Sequence, residues 1–340
     1  LRYVFTLPNG MDPKDVLKKE FVFRQFFGRS LELSGDDIKS FTLTIFDRTL
    51  NQSFKFLAGK SVQLIDQKAL GIYAGKNIYN QDVVYDMTIH PHLLIAGETG
   101  SGKSTQLRSI ITTFILCFDP TQLQIYMADL KRSEFHLFRQ IAHVQSVDVS
   151  AEALRGTLEG LKNESLRRGD LLDKHEVTHI HDLPEKLPYI VLCIDEVALL
   201  QRDKSVMAII EDLSAVGRAL GIFLILSMQR PDSKVMDGKL KVNLTVRMGF
   251  RTADAINSRI IGTKGSEQIE SKDKGRMIIK LEQLQEVQAP YLSEGEAKRL
   301  LAPYKVEKPA EETVDTSPSI PADQPKKENK IFGVLKHERP

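Results

Sequence analysis

One segment constrains this chain more than any other: HLLIAGETGSGKST, residues 92–105. An apolar run, a glycine-rich turn and a helical pattern follow one another, which reads as strand, loop and helix. Gly97-Glu98-Thr99-Gly100-Ser101-Gly102-Lys103-Ser104 fits G-x-x-x-x-G-K-[ST]. Glycines lack a Cβ, so the backbone can turn with successive N–H groups facing one anion, and the next helix adds its positive end. The pattern predicts an ATP cradle over Gly97–Thr105, with Lys103 reaching the β- and γ-phosphates and the Ser104 hydroxyl binding Mg²⁺.

The same alternation continues through the middle of the chain. LQIYMADL (123–130), LPYIVLCIDE (187–196), GIFLILSMQ (221–229), LTVRMGF (244–250) and GRMIIKL (275–281) read as buried strands, with helical spacing over 150–170 and 204–220. Apolar strands separated by helices imply an α/β fold, a mostly parallel sheet covered on both faces. Before it, 1–85 reads as a small α+β domain: a strand closed by the Asn9-Gly10 turn, a helix over 12–28 and the alternating SFTLTIFDR (40–48). The motor-like part is expected over 86–305. After it, 306–340 is rich in Pro, Glu, Ser and Lys and is expected to be disordered.

A phosphate cradle becomes a hydrolase when a carboxylate holds the metal's water shell and another group orients the attacking water. Asp195 and Glu196, at the end of the apolar run IVLCID, fit those two roles; an acidic pair there could instead cap a helix. Gln229 ends the next strand and could sense the γ-phosphate, or make an ordinary strand-end hydrogen bond. Arg218, between a helix and that strand, could act in a neighbouring subunit's site or be a solvated helix end.

Together GETGSGKST, MADLKRSEF, LPYIVLCIDEVALL, AVGRALGIFLILSMQRP and INSRIIG resemble the FtsK/SpoIIIE family of DNA translocases over about 90–285. The resemblance implies a RecA-like P-loop fold, a hexameric ring and DNA in its channel. It makes Lys103, Asp195 and Glu196 the catalytic core and Arg218 a trans-acting finger. It also marks Arg230, Lys241 and Arg259 for DNA contact, against plain surface charge. Three features depart from the family. Glu98 replaces a small or hydroxyl residue, at a position expected to contribute mainly backbone. Ala-Asp-Leu-Lys131 replaces Asp-Pro-Lys. No winged-helix domain follows the motor. The last departure and the N-terminal segment look more like FtsK-type coupling proteins of integrative conjugative elements, which imply a relaxase and channel proteins as partners. Type VII secretion ATPases share the same motifs, and a nucleotide-dependent scaffold is a third reading.

Composition adds less. The net charge is +2, so any DNA-facing basic surface has to be local. Cys117 and Cys193 sit in apolar runs and read as reduced, buried thiols in a cytosolic setting. His175, His179 and His181 lie in a polar loop with spacing that could suit a metal. Arg167 and Arg168 read as a solvated helix face that could meet DNA or a neighbouring subunit. The chain starts at Leu1, which suggests a piece of a longer protein at the cytoplasmic face of the membrane, anchored by a segment upstream.

Overall fold

The apolar runs fold as the strands of one large sheet. The structure is a computed structural model and describes residues 1–27, 31–35, 38–45, 53–233 and 238–307. Within these the chain runs through β1 (Arg2–Thr6), α1 (Pro13–Lys18), α2 (Glu20–Phe27), β2 (Leu31–Gly35), β3 (Ser40–Ile45), β4 (Phe54–Lys55), α3 (Ala58–Ile65), β5 (Gly71–Asn77) and β6 (Asp82–Asp86). It continues with β7 (Leu93–Ala96), α4 (Lys103–Cys117), β8 (Leu123–Asp129), β9 (Val144–Asp148), α5 (Ala151–His175), β10 (Tyr189–Asp195), α6 (Lys204–Leu220) and β11 (Ile222–Met228). The last elements are α7 (Gly238–Asn243), β12 (Val246–Phe250), α8 (Ala255–Ile261), β13 (Arg276–Lys280), β14 (Leu284–Gln288), β15 (Pro290–Tyr291) and α9 (Glu294–Leu301).

The sheet order is β6-β5-β14-β13-β12-β7-β11-β10-β8-β9. From β12 to β9 every pairing is parallel, and the fold is the α/β arrangement expected. From β12 to β6 every pairing is antiparallel. GRMIIKL is therefore a strand as expected, but it does not join the parallel series. It forms a hairpin with β14, because the short link at 281–283 leaves no length for a crossover. Alternate residues of each central strand enter opposite cores. Leu93 and Ile95 pack with Phe114 of α4, while Leu94 and Ala96 pack with the Leu154 and Leu213 sides of α5 and α6. This is why α4 is buried nearly all round, its polar Gln106, Ser109, Thr112 and Thr113 included: it lies between the sheet and the helices α3 and α9.

β1, β3 and β2 form a separate antiparallel sheet, with Phe5 stacked on Phe23 of α2 and on Phe41. Residues 54–86 behave differently from the grouping expected. β4 pairs with β15, α3 packs on α4, and β5 and β6 extend the large sheet. A division between 45 and 54 follows this pairing better than one at 85/86. The described chain remains paired to Val306, whose N–H donates to the Gln140 carbonyl. Residues 308–340, where a disordered tail was expected, lie outside the described residues. Among the described residues no helix is long and apolar enough to cross a membrane.

Candidate nucleotide site

The glycine loop leaves the C-terminal end of β7 and feeds α4. Gly97, Gly100 and Gly102 have φ of +156°, +77° and +110°. At two of them space is also decisive: a Cβ on Gly97 would lie 2.6 Å from Phe250 Cβ, and one on Gly102 would lie 2.6 Å from the Gly275 nitrogen. No side chain among the described residues caps α4, so its first N–H groups are left for an anion. The Ser101 hydroxyl is buried with no hydrogen-bond partner among the described residues. Beside the loop is a cavity of about 540 Å³, lined by Thr99, Lys103, Ser104, Glu134, Gln229 and Gln288 among others. A triphosphate with its divalent cation fits this donor set: unpaired helix N–H groups, a hydroxyl, an ammonium and nearby carboxylates.

β11 lies between β7 and β10 in the sheet, so three strand ends meet here. Lys103 is 4% exposed. Its Nζ donates to Asp195 Oδ1 at 3.0 Å and to Ser227 Oγ at 2.6 Å, while the Ser227 hydroxyl donates to Asp195 at 3.1 Å. Burying this ammonium is tolerable because a carboxylate and a hydroxyl meet it. Glu196 follows in the left-handed region, at φ 61° and ψ 60°. Its carboxylate accepts from the Gln229 N–H at 3.1 Å and from Lys131 Nζ at 2.8 Å. Glu196 lines a second cavity with Lys131, Gln229, Arg230 and Ile260. Gln229 borders both cavities.

Three partners in this network escape a reading of the sequence. Ser227 is a lone hydroxyl in a buried strand, and that polarity was its one visible signal. Lys131 and Glu134 lie on the loop after β8, with no fixed spacing to the residues they meet. Asp129 holds that loop, accepting the N–H groups of Ser133, Glu134 and Phe135 at 2.9–3.0 Å. The Ser104 hydroxyl donates to Glu134 Oε1. Burial raises the Glu134 carboxyl above the ordinary glutamate value, and the bond from Ser104 opposes the rise. Glu98, expected to contribute mainly backbone, also uses its side chain: it pairs with Arg251 Nη2 at 2.6 Å.

Arg218 is exposed in the last turn of α6, and its Nε donates to the Thr88 carbonyl. It sits just before the start of β11, whereas the glycine loop follows the end of the parallel strand β7. Arg218 therefore lies at the opposite end of the sheet from its own chain's cradle. Arg230 follows β11, Lys241 lies in α7 and Arg259 in α8. Arg230 and Ile260 line the same cavity. Arg247 donates to the Lys241, Leu244 and Ile261 carbonyls, tying α7 to the end of α8.

Arg168 corrects the expectation of a solvated or DNA-facing helix surface. It is fully buried and donates to Glu164 and to the carbonyls of Leu220 and Pro188. Arg167 is exposed. No group of three His, Cys, Asp or Glu among the described residues could hold a metal, so the 175–181 histidines lack that support. His179 and His181 instead pack ring to ring at 5.2 Å. Cys193 is buried and Cys117 half-buried, both as free thiols, and burial pushes both thiols up.

The sequence profile of the FtsK/SpoIIIE family matches residues 59–187, beginning at α3. The chain is 36% identical over 250 residues to the DNA translocase FtsK of Borreliella burgdorferi, covering 68% of this chain and 31% of that protein. It spans about a third of the length of the curated relatives it matches. Among solved structures, the pCW3 conjugation coupling protein TcpA with ATPγS superposes with a TM-score of 0.66, 24% identity and 89% coverage of each chain. The cytoplasmic domain of the Thermomonospora curvata type VII secretion ATPase EccC gives 0.64 and 22%, over 71% of this chain and 32% of that one. At these identities the likeness to both structures is one of fold.

Proposed function

The chain carries an FtsK/SpoIIIE-family P-loop ATPase domain, and from that premise we propose that it is the motor part of a DNA-translocating ATPase serving conjugative transfer. One observation carries the reading. The cradle and its acidic pair are joined through Gln229, whose N–H meets Glu196 and whose next residue is Arg230. A change at the phosphates therefore has a two-residue path to the cationic segment proposed for DNA.

In this reading each site residue has a role. Backbone N–H groups of 97–105 and Lys103 hold the phosphates. Ser104 and Asp195 would hold Mg²⁺, which when bound offsets phosphate charge as it builds up. Glu196 orients the attacking water and accepts its proton at the carboxylate. Gln229 reports whether the γ-phosphate is in place. Arg218, at the far end of its own sheet, acts in the cradle of a neighbour in a ring. Arg230, Lys241 and Arg259 bind DNA phosphates, so binding is sequence-tolerant and weakens with salt. A relaxase, channel proteins and a membrane anchor are partners of the complete protein in this reading.

The test is phosphate release by the assembled chain with ATP and Mg²⁺. Duplex DNA is expected to raise turnover several-fold, and an apolar secretion-signal peptide is expected to leave it unchanged. Stimulation by the peptide alone would move the reading to protein secretion. If parent and Glu196→Gln are equally inactive with DNA present, the chain is a scaffold and not a motor.

A further inference from the structure

Glu134 stands out because a carboxylate is costly in a cavity built for phosphate. It lines that cavity, accepts the Ser104 hydroxyl proton in a hydrogen bond, and feels the charges of Asp195, Lys103 and Arg108. Without a cation between them, Glu134 and a γ-phosphate repel each other. Yet its place is not accidental. The Asp129 carboxylate binds three consecutive N–H groups of the loop, including that of Glu134 itself, and so fixes where Glu134 stands. The hydroxyl it holds is the one expected to ligate the metal.

We propose that Glu134 is the second carboxylate of the divalent-cation site: with Asp195 it holds the cation's water shell, and it orients the Ser104 hydroxyl toward the metal. Two carboxylates and a hydroxyl suit Mg²⁺, which keeps several waters and takes its remaining ligands from phosphate. They fall short of a cage of three acidic side chains, in keeping with the absence of such a group among the described residues. The proposal rests on the nucleotide reading above and adds a residue on the β8 loop to it.

The test measures binding of mant-ADP by the full chain, once with excess Mg²⁺ and once with EDTA, for the parent, Glu134→Gln and Glu134→Ala. Glutamine keeps the shape and an acceptor for Ser104 but removes the charge. For both variants, affinity in EDTA should equal or exceed that of the parent, while the gain from Mg²⁺ should shrink about tenfold, as for lost metal-shell partners. Glu134→Asp, charged but shorter, should recover part of the gain. Equal loss in Mg²⁺ and EDTA would make Glu134 a structural residue and overturn the proposal. A larger gain from Mg²⁺ in the variants would make it a plug over Ser104 and overturn it too. Failure of the parent to bind mant-ADP in either condition would instead sink the nucleotide reading.

Discussion

His92 shows how a single proton bears on this fold. Its Nδ1 accepts the Leu224 N–H at 3.0 Å and its Nε2 donates to the Ser214 carbonyl at 2.9 Å. Both bonds together require the neutral ring, and they hold His92 at φ 60°, one residue before the strand that carries the cradle. Burial lowers its pKa from 6.5 to about 4. A depressed value means that the folded state binds this proton later than the unfolded chain does. Its contribution is therefore complete above 6.5 and is lost as pH falls toward 4. By linkage the loss totals on the order of 3 kcal/mol, about 2 of them by pH 5. Urea unfolding at pH 7 and pH 5 should show the gap between parent and His92→Phe narrowing by about that amount; a constant gap would refute it. At this scale the sequence was legible where chemistry fixes spacing. Gly97 to Ser104 sit on consecutive positions, and Asp195 and Glu196 end one apolar run. Lys131, Glu134 and Ser227 come from two other strand ends, and nothing in the sequence sets their distance from Lys103.

The elements are tied by buried polar staples as well as by apolar packing. Arg168 of α5 holds the last carbonyl of α6, at Leu220, and the Pro188 carbonyl just before β10. Replacing it by leucine keeps volume but strands two carbonyls and leaves Glu164 paired with Arg167 alone. We expect Arg168→Leu to lose about 2–4 kcal/mol in urea unfolding, whereas Arg167→Leu, in an exposed pair, should lose less than about 1. Equal effects would contradict the staple. The same helix explains a misreading. Side by side in the sequence, Arg167 and Arg168 point about 100° apart around α5, and the helical period alone does not say which one is buried. β7, β10 and β11 were legible because strands covered on both faces read as continuous apolar runs. β9 (VQSVD) and β14 (LQEVQ) were not, because one is an edge and the other carries polar residues on a half-exposed face. β5 and β6 fall within the stretch read as a separate domain because β14, the partner of β5, lies some 200 residues on, a pairing no local pattern reveals.

For the molecule as a whole, we propose that nucleotide chemistry at one end of a parallel sheet moves DNA held by Arg230, Lys241 and Arg259. The family, the cradle and the fold were legible from motif order. The cargo was not, because phosphate contacts leave no spacing rule in a sequence and the net charge of +2 hides any local basic surface. Hydrolysis alone would leave the claim open, since a DNA-stimulated ATPase need not travel. The most direct measurement is displacement of a triplex-forming strand from one end of a linear duplex by the assembled chain. We predict displacement with ATP and Mg²⁺, and none with ATPγS or with Glu196→Gln. DNA-stimulated ATP turnover that never displaces the strand, from either end of the duplex, would contradict the account.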